Sequence, residues 1–200
     1  EQEAILNATD RLIKINARAG TGKTSTLLML AQQHPQHKIL YLVFNKRARE
    51  EAQGRFPKNV TVHTVHSFAN RFMRFDRFQR WKPTDLTAAD FLPAYSQSPG
   101  RQHILATLNH QFLNYYLNSP APTLEEAAIQ FAENHLPENQ IELFRQNTPA
   151  IIHISEQLFE SWNKQGECIH DYYLKLFHKV GAFTQQLNAF DMVLVDEGQD

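Results

Sequence analysis

The sequence holds one cysteine, Cys168, only 7 glycines, and no unbroken apolar run longer than the six residues Ile39 to Phe44. A single thiol makes no internal disulfide and does not by itself anchor a structural zinc site, and the 10 histidines are scattered without ligand spacing. His63 and His66 form a pair of ligand type, with no third ligand close by in sequence. Apolar stretches such as Met192 to Val195 fall far short of the roughly 20 residues of a membrane span. The charged opening from Glu1 lacks the pattern of a signal peptide. Internal repeats and low-complexity tracts are also missing. With 42% apolar residues in 200, these absences leave a soluble, intracellular globular chain, with one core of ordinary size and a modest second lobe. The chain does not open on Met and stops at Asp200 inside a motif described below, which reads as a piece of something longer.

Charge of one sign is scarce overall, the net being -1, but it is unevenly spread. Residues 1 to 75 carry 12 Lys+Arg against 5 Asp+Glu, whereas residues 76 to 200 carry 8 against 16. Basic side chains concentrate between Phe44 and Lys82, at Lys46, Arg47, Arg49, Arg55, Lys58, Arg71, Arg74, Arg77, Arg80 and Lys82. Such a run suits a polyanion, and equally suits a solvated helix face.

The pattern along the chain alternates. Glu1 to Ala8 read as a short helix and Leu12 to Ala17 as a strand, from their alternation of apolar and polar residues. A helix follows from Lys23, with Leu27, Leu28, Leu30 and Ala31 on a common side until Pro35 interrupts it. Ile39 to Phe44 is the near-continuous apolar run of a strand buried in a parallel sheet. Lys46 to Arg55 is helical, Pro57 stops it, and strands follow at Val60 to Val62 and Met192 to Val195. Strand, helix, strand, helix, strand predicts an α/β fold with a parallel sheet. The stretch between the last two strands exceeds any loop of a compact domain. It reads as all-helical: Thr123 and Glu126 make a capping box, and Ile151, Ile154, Leu158 and Trp162 recur at helix spacing. Prolines 83, 93, 99, 120, 122, 137 and 149 divide it into several short helices. Its aromatics Phe112, Tyr115, Tyr116, Trp162, Tyr172, Tyr173 and Phe177 fit a core at that spacing, with stacking on bases as the other reading.

Two motifs carry chemistry. Ala17-Arg18-Ala19-Gly20-Thr21-Gly22-Lys23-Thr24-Ser25 lies between a predicted strand and a predicted helix, the context of a phosphate-binding loop. Glycines at 20 and 22 let the backbone turn its N–H groups onto phosphate oxygens, where the helix N-terminus adds positive potential. Lys23 then reaches the β and γ phosphates of a nucleoside triphosphate, and the Thr24 hydroxyl ligates Mg²⁺. At the other end, Val193-Leu194-Val195-Asp196-Glu197-Gly198-Gln199-Asp200 delivers acids from the C-terminal end of a strand, the edge at which open α/β sheets bind ligands. Asp196 is placed to hold the Mg²⁺ and Glu197 to orient or deprotonate the attacking water. Together they predict a P-loop NTPase core, residues 1–75 and 180–200, interrupted by a helical insertion over 76–179.

With these motifs the sequence resembles the UvrD/Rep-like superfamily 1 DNA helicases, most closely the F-box helicase branch. The resemblance is carried by residues 17 to 24, by Phe44-Asn45-Lys46, by Thr64-Val65-His66-Ser67-Phe68-Ala69 and by Asp196 to Asp200. It implies ATP as the nucleotide, with Gln2 pairing to the adenine edge and Ala19, Gly20, Thr21, Gly22, Lys23, Thr24 and Ser25 around the phosphates. It implies contacts to single-stranded DNA from Phe44, Asn45, Lys46, Thr64, His66, Ser67 and Phe68, the last as a stacking ring. For Phe68 a core position, and for His66 ordering of its own loop, are the competing readings. Gln199 resembles the residue that senses the γ phosphate, and the insertion falls where the family places its 1B domain. Arg18 and Gly198 depart from the family's small residue and alanine without removing a chemical group, and Ala17 stands where the strict motif has glycine. The resemblance further implies a second RecA-like domain, absent from this chain, whose arginine is worth about 10³ to 10⁵ in rate, so this stretch alone is expected to turn ATP over poorly. The parent is then an ATP-dependent helicase or translocase of DNA repair or recombination, in the cytoplasm of a bacterium or the nucleus of a eukaryote. A nucleotide-gated DNA-binding module that unwinds nothing is the competing class, and the retained Glu197 speaks against it.

Overall fold

The computed structural model describes residues 2–8, 10–15, 22–73 and 80–196. The chain divides into two compact units, one of Glu1–Phe68 with Ala182–Asp200 and the other of Ala69–Gly181.

The first unit is mixed α/β and built on a small parallel sheet. Its elements are α1 (Gln2–Leu6), α2 (Lys23–Gln33), β1 (Ile39–Val43), α3 (Lys46–Arg55), β2 (Val60–Thr64), the first half of α4 (Val65–Phe72), and finally β5 (Met192–Val195) after a short helix at Ala182–Leu187. All five residues of β1 are buried, because β1 is the central strand in the order β2-β1-β5. Register is set residue by residue: Tyr41 lies beside Val62 and Leu194, and Val43 beside Thr64. At the N-terminal end of the sheet the backbone of Lys38 and Asp191 exchange bonds, Lys38 N–H to the Asp191 carboxylate at 2.7 Å and Asp191 N–H to the Lys38 carbonyl at 2.9 Å. Asn59 ties the turn before β1 to the start of β2 by donating to the carbonyls of His34 and His37 at 3.0 Å each. One sheet face, through Ile39, Tyr41, Val43, Val62 and Leu194, packs on Leu27, Leu30 and Ala31 of α2 and on Ala52 of α3. Helix α3 has the bounds its sequence predicts, since the Asn45 side chain accepts from Ala48 N–H at its start and Pro57 follows its end. The strand expected over Leu12 to Ala17 does not form in its described part: residues 12–15 have no strand partner and Leu12 is 87% exposed. Alternation marks a face, but a strand also needs a neighbour to bond to.

The second unit is mostly helical: a 3₁₀ helix at Ala88–Tyr95, α5 (Gln102–Asn118), α6 (Leu124–Asn134), α7 (Glu138–Gln165) and α8 (His170–Lys179). Its core is aromatic. Phe112, Phe131 and Phe144 meet with ring centroids 5.2 to 5.8 Å apart, and Trp162 and Tyr172 lie 4.9 Å apart. Two expectations need correction. The unit is not all-helical, because β3 (Lys82–Pro83) pairs in parallel with β4 (Glu167–Cys168). Nor do all the prolines break helices: Pro93 sits within the 3₁₀ helix and Pro149 within the 28 residues of α7. Pro149 removes one helical N–H, yet Phe144 and Ile151 on either side of it are both fully buried, which holds the two halves in line. The Leu143 and Phe144 carbonyls just upstream accept side-chain bonds from Asn147 and Thr148. Thr123 caps α6 by accepting from Glu126 N–H at 3.2 Å, one half of the capping box that the sequence predicts. Among the described residues no helix is long and apolar enough to cross a membrane.

Candidate functional site

Parallel strands bring their C-terminal ends to one edge, and this edge collects the chemistry of the first unit. Asp196 follows β5 and is anchored there by its N–H to the Leu42 carbonyl at 2.9 Å. Phe44, Asn45 and Lys46 follow β1, and Thr64 ends β2. Helix α2 begins at the same edge with Gly22 as its N-cap, at φ 85° and ψ 23°. That left-handed conformation is one in which a side chain is strained. A Cβ on Gly22 would also come within 3.2 Å of the Gln2 amide nitrogen, so Gln2 of α1 is seated against the turn. Gly22 makes no side-chain cap to α2, whose start carries positive potential as any helix start does.

Tyr41 links these pieces. From the middle of β1 its hydroxyl donates to Oδ2 of Asp196 at 2.8 Å, and the Thr24 side chain lies near the same phenol. Burial, and then the bond to the Asp196 carboxylate, push the Tyr41 pKa well above its ordinary value, so the phenol keeps its proton. Asp196, near one end of the chain, is thus bonded to the Tyr41 hydroxyl, with Thr24 from the other end close by. A hydroxyl and a carboxylate are the hard oxygen donors that Mg²⁺ takes, usually with one or two protein carboxylates and the rest from phosphate and water. Among the described residues no group of three or more His, Cys, Asp or Glu side chains is placed to hold a metal by itself. A cation held partly by the phosphates of its nucleotide fits this donor set. Lys23 and Thr24 are half-buried at the start of α2 and Ser25 is exposed. Ala17, Arg18, Ala19, Gly20, Thr21, Glu197, Gly198, Gln199 and Asp200 lie outside the described residues, as do Arg74 and Arg77.

The expected DNA-contacting residues separate into two groups. Phe44, at 62% exposure, Asn45 and Lys46 stand in solvent, with Lys46 paired to Glu50 at 3.8 Å. Thr64 and Ser67 instead spend their hydroxyls on α4: Thr64 Oγ1 accepts from Ser67 N–H at 3.1 Å, and Ser67 Oγ accepts from Thr64 N–H at 3.0 Å. This is a reciprocal helix cap that Thr-x-x-Ser could have announced. His66 is half-buried on the first turn. Phe68 corrects the stacking expectation: at 1% exposure, with its ring near His63 and Phe190, it is a core aromatic. In the second unit Phe112, Tyr116, Trp162, Tyr172, Tyr173 and Phe177 are likewise buried, and Tyr115 is half-buried with its hydroxyl on Gln130. Burial pushes the Cys168 thiol up to about 12, which removes it as a nucleophile. Tyr41 is the site residue that sequence reasoning passed over. Its signal was a hydroxyl inside an otherwise aliphatic buried strand, a group that needs a partner.

The sheet edge of this parallel α/β lobe thus carries the start of α2 and the strand-end Asp196. The chain belongs to the UvrD/REP helicase N-terminal domain family, whose model matches residues 1–200. It is 31% identical over 222 aligned residues to F-box DNA helicase 1 of Gallus gallus, covering 100% of this chain and 21% of that protein. It is 28% identical over 211 residues to F-box DNA helicase protein 1 of Schizosaccharomyces pombe, covering 94% of this chain and 23% of that protein. The chain thus spans less than a quarter of the length of these curated relatives. No solved structure matches it.

Proposed function

We propose that this chain is the ATP-binding N-terminal part of an ATP-dependent DNA helicase or translocase acting on single-stranded DNA in repair or recombination. The first unit is its RecA-like core and the second unit its 1B-like insertion. The observation that carries this reading is the bond of Asp196 to the Tyr41 hydroxyl, which sets a strand-end carboxylate at the sheet edge where α2 begins with Lys23 and Thr24. Family membership and the two F-box DNA helicases support it.

In this reading Gly22 turns the chain so that backbone N–H groups and the start of α2 face the phosphates, and Lys23 neutralises the β and γ oxygens. Gln2, seated against Gly22, is positioned beside the nucleotide to read adenine. Thr24 and Asp196 hold Mg²⁺, which when bound offsets charge on the β and γ phosphates. Glu197 orients or deprotonates the attacking water, and Gln199 senses the γ phosphate. Phe44, Asn45 and Lys46, exposed on the same sheet edge, contact single-stranded DNA, Lys46 at a phosphate and Phe44 by stacking; His66, Thr64 and Ser67 shape the adjoining surface. A second RecA-like domain of the parent protein completes the site with an arginine. Location follows from the substrate: the cytoplasm of a bacterium or the nucleus of a eukaryote.

Lys23→Ala tests the reading in the full-length protein. DNA-stimulated ATP hydrolysis is expected to fall by about 10²-fold or more, the scale of losing one charge-stabilising donor, with the melting temperature unchanged. Wild-type hydrolysis in this variant overturns the reading.

A further inference from the structure

Among the described residues, the hydroxyl of Tyr41 is a polar group reaching the sheet edge to which the proposed chemistry gives no task. The other β1 residues, Ile39, Leu40, Leu42 and Val43, are aliphatic and buried. Packing alone would be served there by another apolar side chain, so the oxygen calls for an account of its own. Tyr41 is itself 1% exposed, and its ring rests on Phe56 with centroids 4.6 Å apart, which fixes where the hydroxyl points. That hydroxyl donates to Asp196 Oδ2 at 2.8 Å, with the Thr24 side chain close by. Asp196 lies one residue beyond β5 and Thr24 on the first turn of α2, so the two belong to different elements with no hydrogen-bond ladder between them. Tyr41 reaches the Asp196 carboxylate from the buried central strand, which lies beside β5.

We propose that Tyr41 is a positioning residue for the magnesium site, its hydroxyl holding the Asp196 carboxylate so that, together with Thr24, it meets one divalent cation already aligned. The proposal rests on the reading of Thr24 and Asp196 as the cation's ligands. Groups that orient ligands in this way commonly account for about 10- to 100-fold in metal affinity.

Tyr41→Phe keeps the ring against Phe56 and removes one oxygen. Binding of a fluorescent ADP analogue is titrated with Mg²⁺ in the wild-type protein, in Tyr41→Phe and in Asp196→Asn. The expected result for Tyr41→Phe is about a tenfold rise in the Mg²⁺ needed for half-maximal binding. Binding of the analogue in EDTA stays unchanged, and in hydrolysis the Mg²⁺ requirement moves while kcat at saturating Mg²⁺ does not. Asp196→Asn is expected to lose the Mg²⁺ dependence. If Tyr41→Phe titrates like wild type while Asp196→Asn loses its dependence, the role of Tyr41 is refuted and the cation site stands. If Asp196→Asn titrates like wild type, the cation reading itself fails. Should Tyr41→Phe not fold, NMR of the otherwise native protein labelled at tyrosine Cζ decides the matter. The resonance that Asp196→Asn displaces must also move when Mg²⁺ is added with ADP, and a resonance that stays in place refutes the proposal.

Discussion

The two units of this chain distribute their polar and aromatic residues in opposite ways. In the sheet unit the interior is mostly aliphatic, and hydroxyls, acids and amides stand at the ends of elements, where Asn45 caps α3, Thr64 and Ser67 cap α4 and Asp196 follows β5. In the helical unit rings fill the interior, and a polar chain runs through it: the Tyr95 hydroxyl donates to Asn109 at 2.9 Å, Asn109 to Ser155 at 3.0 Å, and Ser155 to the Ile151 carbonyl at 2.8 Å. Lys175, 4% exposed, is likewise turned inward, onto the carbonyls of Ser119 and Ala121 beyond the end of α5. Polar groups at strand ends remain near solvent and can act on a ligand. Polar groups sealed inside must satisfy one another, and they specify packing.

This contrast predicts where substitutions hurt stability. The largest effect belongs to the aromatic interior. Phe112, 0% exposed and ringed by Phe131 and Phe144, should cost about 3–5 kcal/mol when replaced by Ala. Urea unfolding measures it, and a loss below about 1 kcal/mol would mean that the helical unit does not depend on its rings. Next comes the buried polar chain. Ser155→Ala strands the Asn109 amide at 0% exposure and should cost about 1–3 kcal/mol, whereas Ser155→Thr, which retains the hydroxyl, tests geometry separately. In the sheet unit, Asn45→Ala removes the acceptor for Ala48 N–H and should cost about 1 kcal/mol, with Asn45→Asp restoring it. If Asn45→Ala exceeded Ser155→Ala, the distinction between end and interior would be lost.

The smallest effect is a pH dependence. Asp90 accepts from Thr87 N–H at 2.7 Å and Thr87 Oγ1 at 2.8 Å, and these bonds hold its pKa below the ordinary 3.8. A carboxylate depressed by folding contributes in full above its ordinary value, and the contribution is lost as pH falls through the folded value. The stability difference between the wild-type protein and Asp90→Asn is therefore expected to stay level near neutrality and to shrink on acidification below 3.8. A difference that widened in acid would reverse the assignment.

Much of the sheet unit was legible in advance because its signals are local. Asn45 and Pro57 bracket α3, the apolar run Ile39 to Val43 is the buried central strand, and Met192 to Val195 is a strand with the bounds expected. The helical unit was legible as helices, but Pro149 misled, because a local breaking tendency lost to the burial of Phe144 and Ile151 around it. Pairing of Lys82–Pro83 with Glu167–Cys168 joins two-residue strands far apart in the chain, and no local pattern announces such a contact. At the candidate site, Gly22, Lys23, Thr24 and Asp196 were readable from residue type and spacing. The separation of exposed Phe44 from buried Phe68 was not, since both are single phenylalanines near strand ends.

By itself, then, the sequence determined the order of elements, the residue types at the end of β5 and the start of α2, and the family to which they point. Short-range effects decide these: caps, glycine turns and apolar runs act within a few residues. Tertiary structure alone decided that Tyr41 would bond to Asp196, that Thr64 and Ser67 would bond to each other, and that Phe68 would go inside. Each of these turns on which distant strand or helix supplies the partner, and strand order in a parallel sheet is settled by long-range packing that no window of neighbouring residues contains.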